Sequence, residues 1–110
     1  MAHPNKIKGN GFERLVRDFL AAGGIPADRI PAGATIDRGD IWVPGNTIQC
    51  KNVRLLALPS WWKDTLDQTA ANNHRFGWIV HKRHGTTDPA KQWVTTDLTQ
   101  LRAVLSELIK

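Results

Sequence analysis

Five apolar residues, Phe12, Leu15, Val16, Phe19 and Leu20, recur at the i, i+3, i+4, i+7, i+8 spacing of a helix with one face on a core. The pattern predicts a helix from about Phe12 to Ala22, stopped by Gly23-Gly24. Ahead of it, residues 1–10 are polar and basic and read as a flexible arm, leaving 11–110 as one folded domain. Pro26 and Pro31 limit any strand in 25–38 to a short piece around Arg29–Ile30. Two strands follow, Asp40–Val43 and Thr47–Asn52, with Pro44-Gly45 between them as the centre of a tight turn. A second helix is predicted from Trp61 to about Asn73, with Ser60 as its N-cap. It carries two stripes, one of Trp62, Leu66 and Ala70 and one of Trp61, Asp64, Gln68 and Asn72. Strands at 75–83 and 91–96 flank a loop at 84–90. Asp97 caps a last helix with the stripe Leu98, Leu101, Leu105 and Leu108, and Gln100 stands where a capping box needs it. The order α-β-β-β-α-β-β-α describes an α/β (α+β) domain, a mixed sheet with helices packed against it.

The hairpin sorts its own side chains. If Val43 and Asn46 flank a two-residue loop, Asp40 falls opposite Gln49, and directly opposed residues share a face. Lys51, two residues on from Gln49, joins them. Ile41, Val43, Ile48 and Cys50 take the other face. One face is therefore apolar, and the other carries a carboxylate, an amide and an amine. A one-residue slip would part Asp40 from Gln49. Taken alone, the polar face is equally well described as a solvated Asp40–Lys51 ion pair, worth about 0–1 kcal/mol.

Charge adds a partner class. The net charge of +5 suggests a polyanion, most simply nucleic acid. Lys6 and Lys8 on the arm, Arg38 beside Asp40, and the run Lys82, Arg83 and His84 are the candidate phosphate contacts. The single cysteine, Cys50, allows no intrachain disulfide and no zinc-type pair, and fits a reducing, cytoplasmic setting. No apolar run approaches the roughly 18 residues of a membrane span, so no membrane partner is expected. The basic N-terminus lacks the apolar segment of a secretory signal. His74, His81 and His84 have no recognised metal-binding spacing. Trp61 and Trp62 cannot both face one core, so one is expected at a dimer interface or a DNA surface. Trp42, Trp78 and Trp93 fit strands, in the core or at an interface.

"GDI" at a strand start followed by "IQCK" resembles the signature of the PD-(D/E)XK nuclease superfamily, in the QxK variant of its Mrr-like restriction branch. "KGNGFERLVRDFL" is similar to the first helix of phage and archaeal Holliday junction resolvases, and "VHKRHGTTDPAKQWVTT" to a later strand segment of phage resolvase-like proteins. Together these cover about residues 8–100. Gly39 stands where the family has Pro, and Gln49 where it more often has a carboxylate.

The resemblance implies a restriction-endonuclease-like core and a Mg²⁺-dependent endodeoxyribonuclease, with Mn²⁺ as substitute. Such an enzyme would make paired nicks in four-way DNA junctions during recombination or repair, as a homodimer, in the host cytoplasm if phage-encoded. Asp40, Gln49, the Cys50 backbone carbonyl and Glu13 would hold the metal. Lys51 would orient the attacking water or stabilise charge on the phosphate. Asp37 and Gln68 are possible supports. Each also has a plainer description: Glu13 with Arg17 is an i, i+4 pair, Asp37 a turn residue, and Gln68 a solvated one. Two other readings stand beside this one. One is an Mrr-like or repair endonuclease cutting other DNA, and the other is a non-catalytic DNA-binding module of the same fold.

Overall fold

Helix α1 runs from Pro4 to Ala22 in the computed structural model, which describes residues 4–29 and 41–110. The helix starts earlier than expected. Residues 4–10, read as a flexible arm, are its first turns and include Lys6 and Lys8. Proline suits that position, because its φ is already helical and a first-turn N–H has no intrahelical acceptor. Phe12 and Val16 are buried and Leu15 and Leu20 partly so, as the spacing predicts, whereas Phe19 is 47% exposed.

Strands β1 (Asp28–Arg29), β2 (Ile41–Val43), β3 (Asn46–Lys51), β4 (Phe76–His81) and β5 (Trp93–Thr95) form one sheet in the order β1-β2-β3-β4-β5. Among the described residues only β3 and β4 pair in parallel. A parallel pair needs a crossover, and α2 (Leu58–Ala71) supplies it. Helix α3 (Leu98–Leu108) follows β5. The element order is the one the sequence predicts, and the architecture is a mixed α/β fold.

The hairpin register also follows expectation. Ile41 pairs with Ile48, Trp42 with Thr47 and Val43 with Asn46, so the loop is Pro44-Gly45 alone. Gly45 has a φ of 75°, which the third position of a type II turn requires and a Cβ would strain. Asn46 Nδ2 donates to Pro44 O at 2.9 Å and braces the turn. Parity then divides the sheet. Ile41 and Ile48, with Val80 from β4, meet Phe12 and Val16 of α1 in the core, and Val43, Cys50 and Trp78 pack around them. Thr47, Gln49 and Lys51, with Gly77, Ile79 and His81 beside them on β4, take the face covered by α2. Asp37, Arg38 and Asp40 lie outside the described residues.

Helix α2 departs from its predicted limits, and of its two stripes the less apolar one faces the sheet. Its N-cap is Ala57, with Pro59 in the first turn, and Ser60 Oγ donates back to Ala57 O at 3.1 Å. Trp61, Thr65, Gln68 and Thr69 are buried, while Leu66 of the more apolar stripe is 43% exposed. Burying threonines costs little when their hydroxyls find acceptors one turn back. Thr65 Oγ1 lies 2.7 Å from Trp61 O, and Thr69 Oγ1 donates to Thr65 O at 2.6 Å. These short side chains let α2 approach β4 so closely that a Cβ on Gly77 would stand 2.4 Å from Thr69 Oγ1.

In α3, Asp97 accepts from Gln100 N at 2.9 Å, as predicted for the cap. Gln100 does not close the capping box. Its side chain reaches β4, accepting from Gly77 N at 2.8 Å and donating to Gly77 O at 2.5 Å, where β5 has already ended. That anchor, with the Arg75–Glu107 ion pair, turns the side of α3 that carries Gln100, Ala103 and Val104 toward the sheet. The predicted apolar stripe is left outward: Leu98, Leu101, Leu105 and Leu108 are all exposed.

Candidate nucleic-acid site

The carboxyl ends of parallel β3 and β4 lie side by side, and open α/β sheets bind ligands at such ends. Lys51 and His81 are partners across this pair, and His81 is in turn the partner of Trp93 on β5. The three residues therefore form a row across one face of the sheet. Lys51 Nζ stands 5.7 Å from the centre of the Trp61 ring, a cation–π contact. The His81 ring tilts against the same indole at 6.2 Å. Trp61, 8% exposed, thus packs under both. Of the adjacent tryptophans, Trp61 turns to the sheet and Trp62 is half-buried.

His81 is buried, with Nε2 and Thr95 Oγ1 2.8 Å apart and Nδ1 without a partner among the described residues. Burial lowers its pKa from 6.5 and favours the neutral ring. Asn52 Oδ1 and Gln68 Oε1 are also buried without a hydrogen-bond partner among the described residues. Gln68, expected as a support or as a solvated residue, is 8% exposed and shares the stripe of Asn72, whose Nδ2 reaches Thr47 Oγ1 at 3.4 Å.

Gln49 is 6% exposed and meets α2 at Thr65. Thr65 Oγ1 lies 2.7 Å from Gln49 Oε1 and 2.7 Å from Trp61 O. A hydroxyl has one proton, so it serves one of these acceptors at a time. If it serves Trp61 O, the Gln49 amide is best turned so that Nε2 donates to Thr65 Oγ1, an exchange of nearly identical atoms. Oε1 then faces away from α2 and is the side-chain oxygen that could meet a hard cation.

The other predicted residues divide. Lys82, Arg83 and His84 continue from β4 into an open groove of about 590 Å³, which also takes in Arg54, His81 and Trp93. Lys82 N donates to Lys51 O at 2.9 Å, so this run begins beside Lys51. His84 Nε2 meets Val53 O at 3.1 Å and ties together the loops that leave the two strands. Glu13 is half-buried on α1, whose core residues lie on the opposite face of the sheet from Gln49 and Lys51. Cys50 faces the α1 side, although its backbone lies between Gln49 and Lys51. Lys6 and Lys8 are on α1. Arg38, Asp37 and Asp40 are outside the described residues. His74 sits at the opposite end of β3 from His81, with Nδ1 2.8 Å from Thr47 Oγ1. Among the described residues, no three His, Cys, Asp or Glu side chains gather as a metal site.

Sequence reasoning missed Arg54, Thr65, His81 and Trp93. The alternation of β4 and β5 carries a signal for two of them, since Ile79 and Thr95, His81 and Trp93 fall in step with Gln49 and Lys51. Thr65 gives no such signal, because its role depends on how closely α2 docks. No family model, curated protein or solved structure matches the chain in any of the three comparisons.

Proposed function

We propose that the chain is a Mg²⁺-dependent endodeoxyribonuclease with a restriction-endonuclease-like core, acting on branched DNA and on four-way junctions above all. One observation carries the reading. The Pro44-Gly45 register puts Gln49 and Lys51 on one face at the carboxyl ends of β3 and β4, at the head of a basic groove. It is also the register on which the expected Asp40–Gln49 pairing rests.

The proposed oxygen donors, Asp40, the Gln49 side chain and the Cys50 carbonyl, suit Mg²⁺ or Mn²⁺, which would supply charge neutralisation and an activated water. Glu13, carried on the opposite face, is the weakest of the proposed ligands. Lys51 neutralises the developing charge on the phosphate or orients the water, and the Trp61 ring holds its ammonium in place. Arg54, Lys82, Arg83 and His84 bind the flanking backbone. Paired nicks call for a two-fold homodimer, and the outward apolar stripe of α3 is a surface suited to self-association. The proposed setting is the cytoplasm, that of the host if the protein is phage-encoded; among the described residues no helix is long and apolar enough to cross a membrane.

A non-catalytic DNA-binding module of the same fold is favoured by a different observation, the burial of Gln49 against Thr65. Incubation with a synthetic four-way junction and a linear duplex of the same sequence separates the readings. Mg²⁺-dependent nicking of the junction, with the duplex spared, supports the proposal. Equal cutting of both leaves a nuclease of the Mrr-like or repair kind, and binding without cutting leaves the module.

A further inference from the structure

We propose that Trp93 and Arg83 form a stacking platform for one unpaired base of the bound DNA. The inference rests on the DNA-binding reading and adds to it a substrate feature, a strand with at least one base outside the duplex. Trp93 stands on β5, an edge strand of the sheet, and is 49% exposed. The Arg83 guanidinium lies over its ring at 4.6 Å from the centre. An exposed indole with a guanidinium over its ring joins a π surface to a positive charge, the combination that binds bases irrespective of their sequence. Within a duplex the base faces are covered by their neighbours, so such a surface has a partner only where a base is unstacked.

The surroundings favour a nucleic acid over an apolar partner. The groove beside Trp93 is lined by Arg54, Lys82, Arg83 and His84 together with Val53, Leu56 and Val94, and among the described residues no carboxylate lines it. The platform is also braced. Arg83 N donates to Gln92 Oε1 at 2.7 Å, and Gln92 Nε2 donates to Asp88 O at 2.9 Å, fixing the loop that presents the guanidinium. Its position relative to Lys51 is set by the sheet. Lys51, His81 and Trp93 are successive partners on β3, β4 and β5, so two strand spacings, about 10 Å, separate the backbone at Lys51 from that at Trp93. A strand with a phosphate at Lys51 can bring a nearby base to the platform.

The test is equilibrium binding without divalent metal, by fluorescence anisotropy. It compares a blunt duplex, the same duplex with a short single-stranded tail, and that duplex with an abasic tail. The wild-type protein should prefer the tailed duplex and lose the preference when the tail is abasic. Trp93→Ala should weaken binding of the tailed duplex by about 5- to 150-fold and leave the blunt duplex within about 2-fold, and Trp93→Phe should restore most of the loss. Equal affinity of the wild-type protein for base-bearing and abasic tails overturns the platform and leaves the DNA-binding reading intact, as does an equal Trp93→Ala loss on every duplex. No binding to any of the three overturns both. The abasic comparison needs no variant, so it decides the matter even if Trp93→Ala does not fold.

Discussion

Gly77 offers a sharp test of how the two buried faces of this protein are built. It lies on β4 beneath α2, and a methyl group there would stand 2.4 Å from Thr69 Oγ1 and 2.8 Å from Thr65 Cγ2. The first contact falls short of ordinary van der Waals separation by about 1 Å. Neither threonine can easily turn away, since Thr69 Oγ1 is held by Thr65 O one turn back and Thr65 Oγ1 lies between Trp61 O and Gln49 Oε1. Gly77→Ala must therefore move α2 off the sheet, and overpacking of this kind costs about 1–3 kcal/mol. Gly77 is not among the glycines of positive φ, so the alanine is free of backbone strain and gains about 0.4–1 kcal/mol through the unfolded chain. At the midpoints of these ranges the net loss is about 1.3 kcal/mol, or a Tm lower by about 5 °C at about 4 °C per kcal/mol. Thermal and urea unfolding monitored by circular dichroism measure it. Thr69→Ala in the Gly77→Ala background should recover at least about 0.5 kcal/mol relative to additivity. A Gly77→Ala protein as stable as wild type, or one without coupling to Thr69, would refute the close approach of α2 to β4.

Three further predictions concern the rest of the fold. Folding holds His81 neutral by lowering its pKa, so the unfolded chain takes up a proton first as pH falls; stability present above about pH 6.5 is lost below it until the folded pKa is passed. The Tm of wild type should drop over that window more than that of His81→Gln, measured by thermal melts across pH 5–8. Gln100→Ala leaves the Gly77 N–H and C=O without their partner and should cost about 1–3 kcal/mol in urea unfolding, whereas Thr99→Ala, exposed on the same helix, should change it by less than about 0.5 kcal/mol. If the α3 stripe joins two copies, Leu101→Asp with Leu105→Asp should convert a dimer to a monomer by light scattering with little loss of Tm, since both residues are exposed in the single chain.

The sequence made the order of elements and the hairpin register legible, because both rest on local chemistry. Pro44-Gly45 accepts a tight turn, and the apolar set Ile41, Val43, Ile48 and Cys50 has only one way to face a core. What escaped it depends on contacts between distant segments. The inward face of α2 is the less apolar one, because Thr65 and Thr69 satisfy their hydroxyls locally and are small enough to dock on Gly77. Gln100 carries the residue type of a capping box, yet it serves the β4 backbone instead. The Leu stripe of α3 reads as core by its spacing and is left outward by that anchor. For the candidate site, the strand alternation brought Gln49 and Lys51 together, and the basic run at 82–84 meets them at one end of the sheet. Glu13 was separated from them by the opposite faces that α1 and α2 cover, a property of the layered arrangement.

In the proposed function Asp40 and Lys51 act together in cutting DNA phosphodiesters. Cleavage of a labelled four-way junction in Mg²⁺, followed beside junction binding in its absence, tests it most directly with wild type, Asp40→Ala and Lys51→Ala. Each substitution should lower the single-turnover cleavage rate by at least about 10²-fold, in the range of lost transition-state charge stabilisation, while junction binding survives. Cleavage by Lys51→Ala at the wild-type rate would contradict it.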